Sequence, residues 1–127
     1  MECYIMHRRG KFEPNQYTPN QCKIEGHESY DYHLVMVFPA NQQLDVNSFI
    51  VDHQDIDDTI QSMVLKGSCE QMHQKICDRL KKFFERKKID LMAMKCIIKP
   101  VSQGGVAHME YLFTRDSSFV PLISQMV

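Results

Sequence analysis

The stretch with the clearest chemical potential is residues 26–32, "GHESYDY", which runs directly into the apolar string "HLVMVF". A histidine after a glycine, with another polar residue two positions later and a strand beyond, is a pattern in which some folds hold a metal ion. A zinc site needs its full set of protein ligands, however, and His27 and His33 alone do not form one. We therefore expect this stretch to lead into a strand and to bind no metal.

A cysteine just upstream, Cys22, is the second residue that could do chemistry. It is one of five cysteines, which are scattered along the chain and include no Cys-x-x-Cys pair of the kind found in zinc ribbons and redox sites. Free cysteines are among the residue types most often found inside proteins. We expect buried or half-buried thiols at the five positions, Cys3, Cys22, Cys69, Cys77 and Cys96.

Four segments with β character must position these residues. Residues 3–12 alternate in polarity and are followed by two prolines, which prevent regular continuation. Residues 32–38, "YHLVMVF", are the clearest strand and are closed by Pro39. Residues 91–99 and 106–113 follow later, and the turn signal Gly104-Gly105 between them predicts a hairpin.

A first helix is predicted after Asp52. Apolar residues recur there at helical spacing, and acidic residues crowd the first turns, where the helix dipole favours anions. We expect this helix to end near Gly67. The apolar positions are Ile56, Ile60, Met63 and Val64.

A second helix begins at "SCEQ", which is typical of a capping box with Ser68 as N-cap and Gln71 reaching back. The helix is expected to continue to about Lys87. We expect His53 and His73, near the two helix starts, to be solvated or capping residues. The apolar stripe of this helix is Met72, Ile76, Leu80, Phe83 and Phe84.

This order of elements predicts an α+β fold, in which an antiparallel four-stranded sheet carries two helices on one face. A chain of 127 residues suits a single domain, residues 1–127. The tail from about residue 115, "RDSSFVPLISQMV", could be a docked extension or a frayed end.

The charge balance indicates no general class of partner. With 15 basic and 16 acidic residues the net charge is -1, so neither nucleic acid nor an anionic membrane is favoured. The basic run in residues 79–88, "RLKKFFERKK", is expected to be a solvated helix face. The start "MECYIMHRRG" lacks the pattern of a secretion signal, and no apolar run is long enough to span a bilayer. A cytoplasmic location is expected.

Given this order of elements, several strings resemble the tunnelling-fold family of 6-pyruvoyl-tetrahydropterin and 6-carboxy-tetrahydropterin synthases. The similarity extends over nearly the whole chain. "LDVNSFIVDHQDID" is similar to the family segment that leads into the first helix, and "SCEQMHQKICDRL" to the start of the second, which helps to hold the pterin. "CKIEGHESYDYHLVMV" is similar to the segment with a nucleophilic cysteine, a His-Gly-His motif and a strand.

The family binds zinc through three histidines, and this chain departs from that pattern. Gln16 stands where the first histidine is expected. The other two positions correspond either to His27 with Ser29 or to Glu28 with Tyr30, depending on the alignment. Three imidazoles do not converge in either register, so the resemblance implies a site that has lost its zinc. We expect no metal and no other cofactor.

The resemblance also assigns ligand-binding positions. Ser68, Cys69 and Glu70 match the family segment that contacts the pterin, although the capping box accounts for Ser68 without a ligand. Lys99 stands where the family has the glutamate that anchors the pterin ring. An ammonium group only donates hydrogen bonds, so it cannot accept from the pterin as a carboxylate does.

The leading hypothesis is a tunnelling-fold protein without the family's zinc chemistry, in a binding or assembly role. Family members join strand edges into barrels, so the resemblance implies a homo-oligomer, with a planar pterin- or purine-like ligand at the subunit boundary. One alternative is an active lyase or hydrolase of the same fold that uses Cys22 and His27, with Asp52 or His53. Another is an unrelated α+β module that binds a protein through the basic helix.

Overall fold

The computed structural model describes residues 2–13, 29–65, 69–101 and 109–115. They form one antiparallel sheet with strands in the order β1-β2-β3-β4, together with two helices, so the α+β class and the order of elements are as predicted. None of the helices within these ranges is long and apolar enough to cross a membrane. The elements are β1 (Cys3–Phe12), β2 (Tyr30–Pro39), α1 (His53–Gln61), α2 (Cys69–Arg86), β3 (Ala93–Pro100) and β4 (Met109–Thr114).

The strands β1 and β2 pair along their full length, from Cys3 opposite Pro39 to Phe12 opposite Tyr30. The predicted hairpin of the last two strands is present as an antiparallel β3–β4 pair. Its turn, Gly104-Gly105, lies outside the described residues, as does the tail from residue 116.

Gly10 fixes one point of the β1–β2 pairing. It lies opposite Tyr32, whose ring and hydroxyl would overlap any Cβ added at this position. Tyr32 is buried and its hydroxyl donates a hydrogen bond to Asp57 at 2.6 Å, so the ring has little freedom to move aside. Glycine is therefore needed here for close approach.

The main core lies between the sheet and the helices. Alternate β2 residues face it, and the two helices present their apolar stripes to the same layer. Full burial of one large aliphatic side chain contributes roughly 1.5–3 kcal/mol. Fully buried members include Leu34, Met36 and Ile98 from the sheet, Ile56 and Ile60 from α1, and Ile76 and Leu80 from α2.

The opposite face of the sheet is also buried at its centre. Val35, Val37 and Ala93 are fully buried there, and Cys3 and Met92 pack against them. Neighbouring residues of a strand point to opposite faces of the sheet. Because both faces are buried at the centre of β2, every residue of the string "LVMVF" is apolar. An unbroken apolar run of this kind is the sequence signal for a strand that is buried on both faces. From the sequence, cover was predicted for one face only, the face that carries the helices.

The first helix is shorter than predicted. Asp52 is its N-cap and accepts a hydrogen bond from the backbone N–H of Gln54 at 2.9 Å, but the helix ends at Gln61 and not near Gly67. Ser62 is the C-cap, and its hydroxyl donates to the backbone carbonyl of Thr59, which competes with helix continuation. Val64 is exposed and takes no part in the buried stripe.

The second helix matches its predicted bounds within one residue at each end. The prediction for His73 is wrong, because this residue is buried and not solvated. His73 lies in the second turn of the helix, on the face that packs against the sheet. The N-cap role predicted for Ser68 concerns a residue outside the described ranges.

Candidate functional site

Half of the residues predicted as site residues fall outside the described part of the chain. These are Cys22, His27 and Ser68. Cys69 begins α2, and its side chain also lies outside the description. Glu70 is exposed in the first turn of α2, and Lys99 is exposed on β3, opposite Asp31 of β2.

Glu70 and Lys99 lie in different layers of the molecule. Lys99 follows Lys95 and Ile97 at alternate positions of β3, which places it on the sheet face away from the helices, whereas Glu70 belongs to the helix layer. The described residues of one chain therefore provide no common pocket for this pair.

Two positions of the zinc-like motif, Ser29 and Tyr30, lie within the described residues. Ser29 is half-buried, and its backbone carbonyl accepts a hydrogen bond from the backbone N–H of Val101 at 3.1 Å. Tyr30, a counterpart of a family ligand in one alignment, is fully buried, and its ring stacks on Phe12 with centroids 5.3 Å apart. Its ring therefore belongs to the core. Gln16, His27 and Glu28 lie outside the described residues.

The outer edge of β1 carries exposed apolar side chains. Within the described ranges, β1 pairs only with β2, so no described strand lies along its second edge. Tyr4 and Ile5 are consecutive in β1 and point to opposite faces, yet Tyr4 is 53% exposed and Ile5 is 37% exposed. An exposed edge with apolar residues is the kind of strand that joins another chain.

A cationic cluster lies further along the same strand, on the face away from the helices. The Nδ1 of His7 and the Nε2 of His33 are 3.0 Å apart, and the two rings stack. Burial lowers the pKa of His33, and the neighbouring charges of Arg9, His7 and Lys95 lower it further. The positive charges of this cluster therefore disfavour protonation of His33.

A groove of about 500 Å³ lies beside the other outer strand, β4. Its apolar wall includes Phe113 and Phe84, and Lys81 and Arg115 supply positive charge. The Nζ of Lys81 is 5.4 Å from the centroid of the Phe113 ring, and Arg115 forms an ion pair with Asp90. This groove combines an aromatic surface with side chains of both charges, since Asp78, Glu85 and Asp90 line it as well.

A polar group ties α1 to the sheet. Arg8 of β1 binds both carboxylate oxygens of Asp57, and Tyr32 donates to one of them. The Arg8 hydrogen bond lowers the pKa of Asp57 although burial opposes this, and Tyr32 lowers it further. Burial and the bond to Asp57 raise the pKa of Tyr32. These shifts favour the ionised carboxylate and the neutral phenol, which suits a structural link.

A buried group of three metal-ligating side chains lies between α2 and β3. His73 and Cys77 are one helical turn apart on α2, and Cys96 faces them from the sheet. Their ligand atoms all lie within 4.8 Å of one another. The Nε2 of His73 donates to the backbone carbonyl of Cys96 at 3.0 Å and is 3.9 Å from the Sγ of Cys77.

The pKa values of the two thiols in this group are shifted in opposite directions. The hydrogen bond from the Cys96 thiol lowers the pKa of Cys77 to about 6; burial opposes the change, and His73 assists it. The same bond, together with burial, raises the pKa of Cys96. Burial tends to lower the pKa of His73, but its hydrogen bonds to Cys77 and to the Cys96 carbonyl raise it overall.

Sequence reasoning missed this group because its members are not adjacent in the chain. The spacing of four residues between His73 and Cys77 was an available signal, since such residues share a helix face. The partner strand residue, Cys96, follows only from the packing of α2 on β3.

No protein-family model matches the chain, and no curated protein matches it significantly. The resemblance to the tunnelling-fold synthases therefore rests on the quoted strings and on the order of elements.

Proposed function

We propose that this chain is a homo-oligomeric binding protein of the tunnelling-fold type, similar to the 6-pyruvoyl- and 6-carboxy-tetrahydropterin synthases but without their zinc-dependent chemistry. The observation that carries the proposal is the outer edge of β1, where Tyr4 and Ile5 are both exposed. The order of strands and helices, with two helices against one sheet face, agrees with it.

Joining edge to edge would give β1 a strand partner on the edge where the described residues provide none. A second copy would also cover Tyr4 and Ile5, one on each side of the extended sheet, and remove their apolar surface from water. The N–H and C=O groups on that edge would gain ladder hydrogen bonds at the same time. This arrangement explains why the edge carries apolar residues on both faces.

The ligand is a small planar heterocycle, pterin- or purine-like, held where subunits meet. The groove beside β4 supports this part of the proposal, because β4 is the other outer strand of the described sheet. Phe113 provides a surface on which a flat ring can stack. Lys81 and Arg115 provide donors for the oxygen and nitrogen acceptors of such a ring.

The assembly is tested by charge substitutions on β1. Ile5→Lys and Tyr4→Lys place a charge at the proposed contact, and native mass spectrometry should show a shift towards single subunits. The matched control is Val46→Lys, since Val46 is 99% exposed in a loop. Circular dichroism establishes that each variant is folded. An unchanged subunit number in folded Ile5→Lys and Tyr4→Lys would contradict the proposed contact.

Ligand binding is tested separately by calorimetry with a pterin and with guanine. We expect at least one of them to bind the wild type and to lose about tenfold or more in affinity in Phe113→Ala, which corresponds to removal of a stacking contact. Phe49→Ala serves as the control, because Phe49 is half exposed outside the groove. Failure of both compounds to bind, or equal effects of the two variants, would count against this ligand class at this groove.

A further inference from the structure

We propose that His73, Cys77 and Cys96 form a buried binding site for a thiophilic divalent cation of the zinc class. None of these residues takes part in the proposed oligomer contact or in the groove beside β4, so the inference is independent of the proposed function. It also differs in place from the zinc position implied by the family resemblance, which involves residues 16 and 27–30.

The geometry is close to that of a metal site. Zinc binds sulfur at about 2.3 Å and imidazole nitrogen at about 2.0–2.1 Å, so the ligand atoms around it are separated by roughly 3.3–3.8 Å. The three ligand atoms here lie within 4.8 Å of one another. Small rotations of side chains suffice to close that difference. The supports are rigid, because one ligand lies on a central strand and two lie on the longest helix.

The donor types select the kind of cation. Two cysteine sulfurs and one imidazole suit zinc and other soft or borderline cations, and they do not suit magnesium or calcium, which prefer oxygen ligands. Three protein ligands leave one position of a tetrahedral ion for a further donor. No metal site was predicted here from the sequence, because the sequence does not show that Cys96 of β3 packs against α2.

Charge balance explains how a dication can be held in the interior. All three residues are buried. A dication bound to two thiolates and a neutral imidazole has no net charge, which keeps the electrostatic cost of burial low.

Binding rearranges protons in a defined way. The cation forms two metal–sulfur bonds and one metal–nitrogen bond, and the thiols of Cys77 and Cys96 release two protons to solvent. Because the Nε2 of His73 now donates to the Cys96 carbonyl, it carries the ring hydrogen. Coordination through Nε2 requires that hydrogen to move to Nδ1, so the bond to the carbonyl is given up when the metal binds.

The experiment loads the full chain, stripped by a chelator under reducing conditions, with Zn²⁺ or Co²⁺. We expect about one ion per chain by native mass spectrometry. Bound Co²⁺ should show strong sulfur-to-cobalt absorption, and the unfolding temperature should rise with Zn²⁺ concentration. Cys77→Ala, Cys96→Ala and His73→Gln should each weaken binding at least tenfold. Cys3→Ala, which removes a half-buried thiol of the opposite sheet face, should bind as the wild type does.

Two results would overturn the inference even if the cysteine variants fail to fold. The first is a wild-type protein that binds no Zn²⁺ and shows no sulfur-to-cobalt absorption. The second is full metal binding in a folded His73→Gln variant.

Discussion

At the scale of single residues, Asp57 joins three elements through one carboxylate. Arg8 comes from β1, Tyr32 from β2 and Asp57 from α1, so each hydrogen bond crosses an element boundary. The side chain of Asp57 is 16% exposed, which limits the access of water to the bonds. A charged hydrogen bond in such a setting is worth more than an exposed surface pair.

We predict that Asp57→Asn lowers the free energy of unfolding by about 1–3 kcal/mol, because Arg8 loses its charged acceptor. Asp58→Asn is the matched control, since Asp58 is exposed on the same helix and its side chain bonds only to Gln54 among the contacts described. Urea denaturation at neutral pH compares the two. Equal destabilisation by both substitutions would show that Asp57 has no special role.

The carboxylate of Asp57 also predicts that the free energy of unfolding depends on pH in the acidic range. The pKa of Asp57 is lowered from 3.8 in the folded chain by Arg8, with burial opposing and Tyr32 assisting. The stability it contributes is therefore present above pH 3.8 and is lost as the pH falls through the lower folded value. The difference in unfolding free energy between wild type and Asp57→Asn should shrink on acidification. A constant difference down to about pH 2 would contradict this.

His33 predicts a dependence of stability on pH closer to neutral pH. Its pKa is lowered from 6.5 by burial and by the charges of Arg9, His7 and Lys95. The folded state therefore favours the neutral ring, and this contribution to stability holds above pH 6.5 and is lost as the pH falls through the folded pKa. An NMR titration should place the midpoint of His33 below 6.5, and Arg9→Gln should raise it. If Arg9→Gln leaves the midpoint of His33 unchanged, the charge of Arg9 does not contribute to the low pKa of His33.

At the scale of elements, the β1–β2 pair depends on a residue with no side chain. Gly10→Ala should lower the free energy of unfolding by about 1–3 kcal/mol, because the new methyl group overlaps the ring of Tyr32. In a Tyr32→Ala background the same substitution should cost much less, and a double-mutant cycle measures the difference. Additive effects of the two substitutions would show that Gly10 and Tyr32 do not interact.

The elements themselves were largely predictable from local patterns. Alternating polarity defined β1, and the string "YHLVMVF" defined most of β2. The capping box "SCEQ" gave the start of α2 and the apolar stripe gave its end, each within one residue. The end of α1 was not predictable in this way. Met63 and Val64 continue the helical spacing in sequence, but Ser62 caps the helix and Val64 is exposed.

The candidate sites were far less predictable than the elements. The cluster of His73, Cys77 and Cys96 depends on which face of α2 meets β3, and a polar residue near a helix start gives no indication that it is buried. The exposed pair Tyr4 and Ile5 is likewise informative only once β1 is known to be an outer strand. Local patterns set the elements, whereas these sites depend on tertiary packing.

At the scale of the whole molecule, the sheet has two buried surfaces at its centre but exposed apolar side chains on an outer strand. Val35 and Val37 are fully buried on the face away from the helices, while Ile5 on the same face of β1 is exposed. Addition of a second chain along β1 would continue the buried surface to the edge. The homo-oligomer is therefore the claim on which the proposed binding role depends.

The most direct test is the mass of the wild-type protein in solution. The chain has a mass of 14.9 kDa, and sedimentation velocity over a range of protein concentrations should show a defined species at a whole-number multiple of that value. Persistence of the assembled species on dilution is expected for a stable interface. A single species at 14.9 kDa at every concentration would contradict the proposed assembly.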